Sequence, residues 1–248
     1  SVNAYSAIMT KGEKIIAVSD TVRDYILKNY PGVDAERIIT IPRGIDPDSF
    51  PQGFMPSGEW LSDWRTQFPQ LLDKKVLTLP GRITRLKGHE DFISLIDRLK
   101  RDGEPVHGLI VGGAEIKKRS YLAELEELVV RRDLSGDITF TGQRNDLREI
   151  MAVSDIVLSL STKPESFGRT VMEALSIGIP VVGYDHGGVG EQLRRLYPQG
   201  CVPLGNIDEL MRACRAIPAA MRIDPKCRPT TLVDMETATL SVYRSFWE

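Results

Sequence analysis

Short apolar runs alternate with amphipathic stretches along most of this chain. "KVLTLPG", "VHGLIVGG", "DITFTG", "DIVLSLS" and "PVVGYD" are rich in apolar and β-branched residues and end in Gly, Ser or Asp, as buried strands do. Between them, "HEDFISLIDRLKR" repeats Phe92, Ile96 and Leu99 at helical spacing, and the segment from Tyr121 aligns Leu122, Leu125 and Val129. The shorter "DLREIMAVS" and "GRTVMEALSIG" predict two more helices. Strands that are apolar throughout and alternate with helices predict a parallel sheet covered on both faces, an open Rossmann-like α/β layer.

The two ends differ from this middle. "EKIIAVSDTVRDYILKNY" predicts a short strand and then a helix capped by Ser19, with Val22, Ile26 and Leu27 on one side. "RIITIPRGI" repeats the strand-then-turn pattern, and the Pro- and Gly-rich stretch after it places a linker or surface crossing at 47–58. Near the other end, Ile207, Leu210, Met211, Cys214 and Ile217 form one helical stripe, and Leu232, Met235, Val242 and Phe246 another. Both stripes are expected to pack in the core, although the last helix could also bridge to another domain.

Composition narrows the classes. At 248 residues the chain can bury a large core, and 32 Lys and Arg against 34 Asp and Glu give a net charge of -2. No basic excess points to nucleic acid. Cys201, Cys214 and Cys227 are odd in number and far apart, which predicts free thiols in a reducing, cytoplasmic setting. Three histidines, none at ligand spacing from a cysteine, predict no metal site. No apolar run approaches membrane-spanning length, while attachment to a membrane surface stays open.

Ligands of open parallel sheets lie beyond the carboxyl ends of the strands. The loops there are "GRITRLKG", "GGAEIKK", "TGQRND", "STKPESFG" and "YDHGGVGE". Arg82 and Lys87 suit a diphosphate, since arginine grips two oxygens with its fork and lysine adds a mobile charge; two ordinary surface cations would look the same. The run Lys117, Lys118 and Arg119 reads first as a solvated helix start. At Gly168 a helix begins whose unpaired amides can receive anionic oxygens, with Thr170 as a further donor. Phe167 either packs this loop or stacks on a base.

"KPESFGRTVMEALSIGIPVVGYDHGGVGE" adds Glu165 and Glu173, eight positions apart, and then Glu191. Acids set directly against phosphates would be repelled, so sugar hydroxyls and a ribose diol are the better partners for them. Glu191 is either a third diol reader or an acid at a helix start. Gly187 and Gly188 allow close backbone approach or a left-handed turn. His186 has no nucleophile or metal partner that would make it catalytic. Neither GxGxxG nor a Gly-Lys-Ser/Thr phosphate loop is present, so the residues themselves support an α/β protein binding a phosphate-linked sugar.

"IIAVSD", "ITIPRGID" through Phe50, "GRITRLKG", the turn at Gly142, "ESFGRTVMEALSIGIPVV" and "GGVGE" together resemble the C-terminal, donor-binding half of a GT-B retaining glycosyltransferase of family 4. The resemblance implies transfer of a sugar from a UDP-, GDP- or ADP-linked donor, with no metal and no other cofactor. By the same likeness Arg82 and Lys87 would neutralise the donor phosphates, Glu165 would contact the donor sugar and Glu173 the ribose. Amides from Phe167 to Val171 would bind sugar and phosphate, and Arg144 would lie near the base, reading it through backbone atoms. Arg43 stands where the family often has Asn; a phosphate-facing cation and a surface charge are both open.

The resemblance also implies a division of the chain: 1–46 as the end of the first GT-B domain, 47–58 as the linker, and 59–248 as the donor domain with a returning C-terminal helix. The acceptor, a glycan or lipid-linked molecule, would be held by the remainder of that first domain, in lipopolysaccharide or other cell-surface glycan synthesis. The chain is thus expected to be a fragment that binds donor without transferring, from a parent that can associate peripherally with the membrane. A GT-B-like epimerase or phosphorylase and a noncatalytic nucleotide-sugar-binding protein are the alternatives.

Overall fold

The computed structural model describes residues 6–114, 119–223 and 228–247. Lys117, Lys118 and Cys227 lie outside them. A small parallel pair, β1 (Ile15–Ala17) and β2 (Ile38–Thr40), packs with α1 (Asp20–Asn29) through Ile15, Ala17 and Ile38 against Val22, Ile26 and Leu27. The main sheet has six parallel strands: β3 (Lys75–Pro80), β4 (Val106–Val111), β5 (Ile138–Gly142), β6 (Ile156–Ser159), β7 (Val181–Tyr184) and β8 (Cys201–Val202). Their spatial order is β5-β4-β3-β6-β7-β8. The direction of winding therefore reverses between β3 and β6, which pair through Leu77 with Ile156 and Thr78 with Val157.

β4 shows why these strands are apolar throughout. Gly108 lies under Phe92 and Ile96 of α3 (His89–Arg101), whereas Leu109 and Val111 pack with Trp64, Phe68 and Ile150 on the other face. Alternate residues thus meet different helices, and every position is buried. α3 contacts α4 (Arg119–Arg131) and α8 (Ile207–Ala216), while α6 (Arg169–Ser176) contacts α5 (Leu147–Ala152) and α7 (Gly187–Leu196). The expected open parallel Rossmann-like sheet is the observed fold.

Two elements had no counterpart in the sequence reading, and a third, α7, had only the helix start considered at Glu191. α2 (Gly58–Gln67) is capped by the Ser57 hydroxyl and stacks Trp60 on Trp64 at 5.0 Å. Its signal was present as Trp60, Trp64 and Phe68 four positions apart. α7 opens with Gly-Gly-Val-Gly, a sequence that disfavours a helix by itself, so packing decides it. β8, the sixth strand, is two residues long.

The segment 47–58 contains no helix or strand until Gly58, yet it is held down. Ser176 Oγ donates to the Phe50 carbonyl at 2.7 Å, and Gly53 N donates to the Ile177 carbonyl at 3.2 Å. α8 buries Leu210, Met211, Cys214 and Ile217 as its stripe requires. The stripe of α9 (Leu232–Arg244) does not: Val242 is buried, but Leu232 and Phe246 are 36% and 43% exposed. This exposure, against the expected core packing, has a local cause. α9 starts on the chain after β2, where Leu232 N donates to the Ile45 carbonyl at 2.8 Å and Gly44 N to Met235 Sδ at 3.3 Å, and Leu232, Met235 and Thr239 border an open cleft with Phe50 and Glu173.

Candidate functional site

Two loops face each other where the sheet reverses. The first, residues 81–88, leaves β3 and ends at Gly88, whose φ of +72° and contact with the Leu160 backbone admit no side chain. The second, residues 160–168, leaves β6 and ends at Gly168, with φ +83°, which caps α6 without a side-chain hydrogen bond. The start of α6 thus lies beside the second loop without a side-chain cap.

Across this gap the Lys87 ammonium donates to Glu165 Oε1 at 2.6 Å. The same oxygen accepts the Ser161 hydroxyl. Both Lys87 and Glu165 are about one-third exposed, with side-chain accessibilities of 31% and 28%. They border a cleft of about 510 Å³ that Arg82, Arg85, Lys163 and Tyr121 also line. A narrow extension reaches Gly168, Thr170 and Val171. The predicted residues Arg82, Lys87, Glu165, Gly168, Thr170 and Val171 are therefore brought together. Ser161, Arg85 and Lys163 join them; of these, Ser161 carried no sequence signal beyond its place at a strand end.

The other candidates sit around this centre. Glu173 is nine-tenths buried, paired to Arg169 at 2.7 Å, and opens on a neighbouring cleft of about 530 Å³ that also contains Arg43, Asp46 and Phe50. Burial pushes its carboxyl above the usual range, and the Arg169 guanidinium opposes that rise. Arg43 is exposed on that second cleft. Arg144 lines a third, wider cleft with Trp60 and Phe54, and its fork is held by both oxygens of Asp146 at 2.8 and 2.6 Å. The fork keeps the Asp146 carboxyl below its ordinary value. The Arg144 side chain is thus committed within the protein.

Phe167 packs with Ile45 and Met172 and is 4% exposed, so of its two readings the packing one describes its place. Gly187, at φ +59°, and Gly188 lie against the backbone of Pro164 to Phe167, and Gly188 N donates to the Glu165 carbonyl at 2.7 Å. They brace the second loop from behind. Glu191 does not face the cleft: its carboxylate accepts from the Asp20 and Thr21 amides, each at 3.1 Å. His89 is fully buried beneath the first loop, and burial lowers its pKa to about 4, so it is neutral at pH 7. Among the described residues no cluster of His, Cys, Asp and Glu is placed to hold a metal ion, and no helix is long and apolar enough to cross a membrane.

In open parallel α/β sheets, ligands bind at the switch point, where the loops after β3 and β6 meet here. Residues 62–219 match the family model for glycosyl transferases group 1, and the chain belongs to that family. Mannosylfructose-phosphate synthase of Agrobacterium fabrum is 30% identical over 182 residues, which cover 71% of this chain and 38% of that protein. The crystal structure of a glycosyltransferase from Rickettsia africae superposes with a TM-score of 0.86 at 26% identity, over 98% of this chain and 66% of that one. Anabaena HepE in complex with UDP and glucose shares the fold, with a TM-score of 0.79 at 24% identity over 94% of this chain and 63% of its own. The chain thus spans well under half the length of the curated relative.

Proposed function

We propose that this chain is the donor-binding part of a retaining family 4 glycosyltransferase that moves a sugar from a nucleoside diphosphate to a glycan or lipid-linked acceptor. The observation that carries the reading is the Lys87–Glu165 contact at the sheet's switch point, beside the N-terminus of α6, which has no side-chain cap. Arg82, Lys87 and the first amides of α6 neutralise the diphosphate as the leaving group gains charge. Glu165 accepts hydroxyls of the donor sugar, and Lys87 lies between it and the phosphates. Glu173, acceptor-only when ionised, takes the ribose diol. The base lies toward Arg144 and is read by backbone atoms, because that guanidinium is held by Asp146.

On this reading residues 1–46 close a first domain, 47–58 link it to the donor domain 59–248, and α9 returns toward the first domain with Tyr243 and Trp247 still exposed. The remainder of that domain would hold the acceptor. UDP is the first nucleotide to test, since HepE is a structure with UDP and glucose. Cell-surface glycan synthesis, at the cytoplasmic membrane face, is the setting proposed for the whole protein.

Calorimetric titration of this chain with UDP, GDP, ADP and their glucose conjugates tests the donor site. Saturable binding of one nucleotide family supports it; a folded chain that binds none of the six rejects it. For the full-length protein, turnover of nucleotide sugar that needs an acceptor separates transfer from epimerisation, which proceeds without one. Retention of anomeric configuration in the product tests the mechanistic class.

A further inference from the structure

Helix α1 is capped by residues from a distant part of the chain. A helix leaves its first amides without internal partners, and here three of them are accounted for. Asp20 N donates to Glu191 Oε1 and Thr21 N to Glu191 Oε2, both at 3.1 Å; the Thr21 hydroxyl adds a contact to Oε2 at 3.3 Å. Val22 N donates to the Ser19 hydroxyl at 3.1 Å. That hydroxyl in turn donates to the Ser166 carbonyl at 2.5 Å, and Ser19 is fully buried. A hydroxyl can accept and donate at once, so Ser19 caps α1 and grips the second loop with one oxygen.

Both routes end at the same backbone. Ser19 holds Ser166 directly. Glu191 sits on α7, whose first turn carries Gly188, donating to the Glu165 carbonyl at 2.7 Å. A Cβ on Gly188 would lie 2.5 Å from Phe167 Cα, so α7 and the loop are in backbone contact. The loop that presents the Glu165 side chain to Lys87 is therefore clamped between α1 and α7, and the Glu191 carboxylate joins the two clamps. A carboxylate at a helix N-terminus is favoured by the helix dipole as well as by its hydrogen bonds.

We propose that Glu191 and Ser19 are positioning residues: they cap α1 across the fold and thereby hold residues 165–168 in the geometry that binds donor. The donor part of this statement rests on the function proposed above; the mechanical part does not. Neither residue touches substrate. The position of α1, and with it the small β1–β2 unit, is thereby coupled to the loop bearing Glu165.

The test uses hydrogen exchange of residues 165–168 in the ligand-free chain, alongside calorimetric titration with UDP-glucose. Glu191→Ala and Ser19→Ala each speed exchange of those amides and weaken UDP-glucose about five- to tenfold, the size expected when a helix cap is lost. Glu191→Gln, which keeps an acceptor oxygen, falls between. Asp234→Ala removes the side-chain acceptor of the α9 capping box and leaves both readouts unchanged, which separates coupling from general loss of stability. Unchanged exchange at 165–168 in folded Glu191→Ala overturns the proposal, and lost binding with unchanged exchange would mean that Glu191 touches the ligand. If Glu191→Ala does not fold, Glu191→Gln and Ser19→Ala decide by the same readouts. Faster exchange in a chain that binds no nucleotide leaves the coupling intact and removes the donor reading instead.

Discussion

Lys87 Nζ lies 2.6 Å from Glu165 Oε1, and this contact, with Thr162 N donating to the Leu86 carbonyl at 2.9 Å, joins the loop after β3 to the loop after β6 over the point where the sheet changes direction. A cation and an anion meeting there serve opposite parts of one ligand. Removing either should therefore affect nucleotide and nucleotide sugar differently.

Lys87→Ala should weaken UDP and UDP-glucose alike, by about 10- to 100-fold, the usual range for losing a hydrogen bond to a charged group. Glu165→Gln should leave UDP at least as tightly bound, because a negative charge beside the phosphates is gone, while the added affinity from glucose falls. Paired titrations of the two ligands check this. Equal losses for both ligands in Glu165→Gln would assign the acid to the phosphates or the fold, not to the sugar.

Glu173 supplies a pH dependence. Its carboxyl titrates above the ordinary range because it is buried, so the folded chain holds its proton to higher pH than the unfolded chain does. Stability from the protonated form is complete below the unfolded value and is lost as pH rises through the raised folded value. Nucleotide affinity runs the other way, since the ribose needs the ionised form: it should fall as pH drops through that same raised value. Arg169→Ala removes the group that opposes the rise and should move the midpoint upward. UDP affinity measured against pH in both proteins decides it, and coincident midpoints would exclude Arg169 as the group that holds the value down.

Gly188→Ala places a methyl group against Phe167 backbone, which cannot rotate away as a flexible side chain would. A cost of about 1–3 kcal/mol is expected, as for other overpacked sites. Gly136, with open space within 4 Å of its Cβ direction, should tolerate alanine with little change or a small gain. Denaturant midpoints of the two variants compare them directly; similar midpoints would show that α7 is not seated on the loop as described.

Trp64 is 6% exposed and packs α2 onto the β3–β4 face beside Phe68 and Ile150. Trp64→Ala should cost about 3–5 kcal/mol, in line with other buried aromatics cut to alanine. Trp60, only partly buried and bonded to Asp146 through its indole N–H, should cost less. The order of unfolding midpoints tests whether α2 belongs to the core of the domain or merely lies over it.

Hydrophobic spacing was enough to place five of the six strands of the main sheet and most of its helices, because a strand buried on both faces must be apolar at every position. Motif chemistry likewise picked out Arg82, Lys87, Glu165 and Gly168, which stand together at strand ends that any parallel sheet brings to one edge. Three decisions could not be made that way. A two-residue strand such as β8 has no period to read, and α7 forms despite three glycines in its first four residues because Gly187 and Gly188 fit against the loop behind Glu165 and Gly190 against Asp185, where a side chain would clash. The roles of the three acids in "KPESFGRTVMEALSIGIPVVGYDHGGVGE" depended on partners far away in sequence: Glu165 meets a lysine 78 residues earlier, whereas Glu191 meets amides 170 and 171 residues earlier. Local sequence determines which residues can carry charge and where helices can begin. Only the packed sheet, which brings remote loops within hydrogen-bond distance, decides which carboxylate faces the cleft and which one caps a helix.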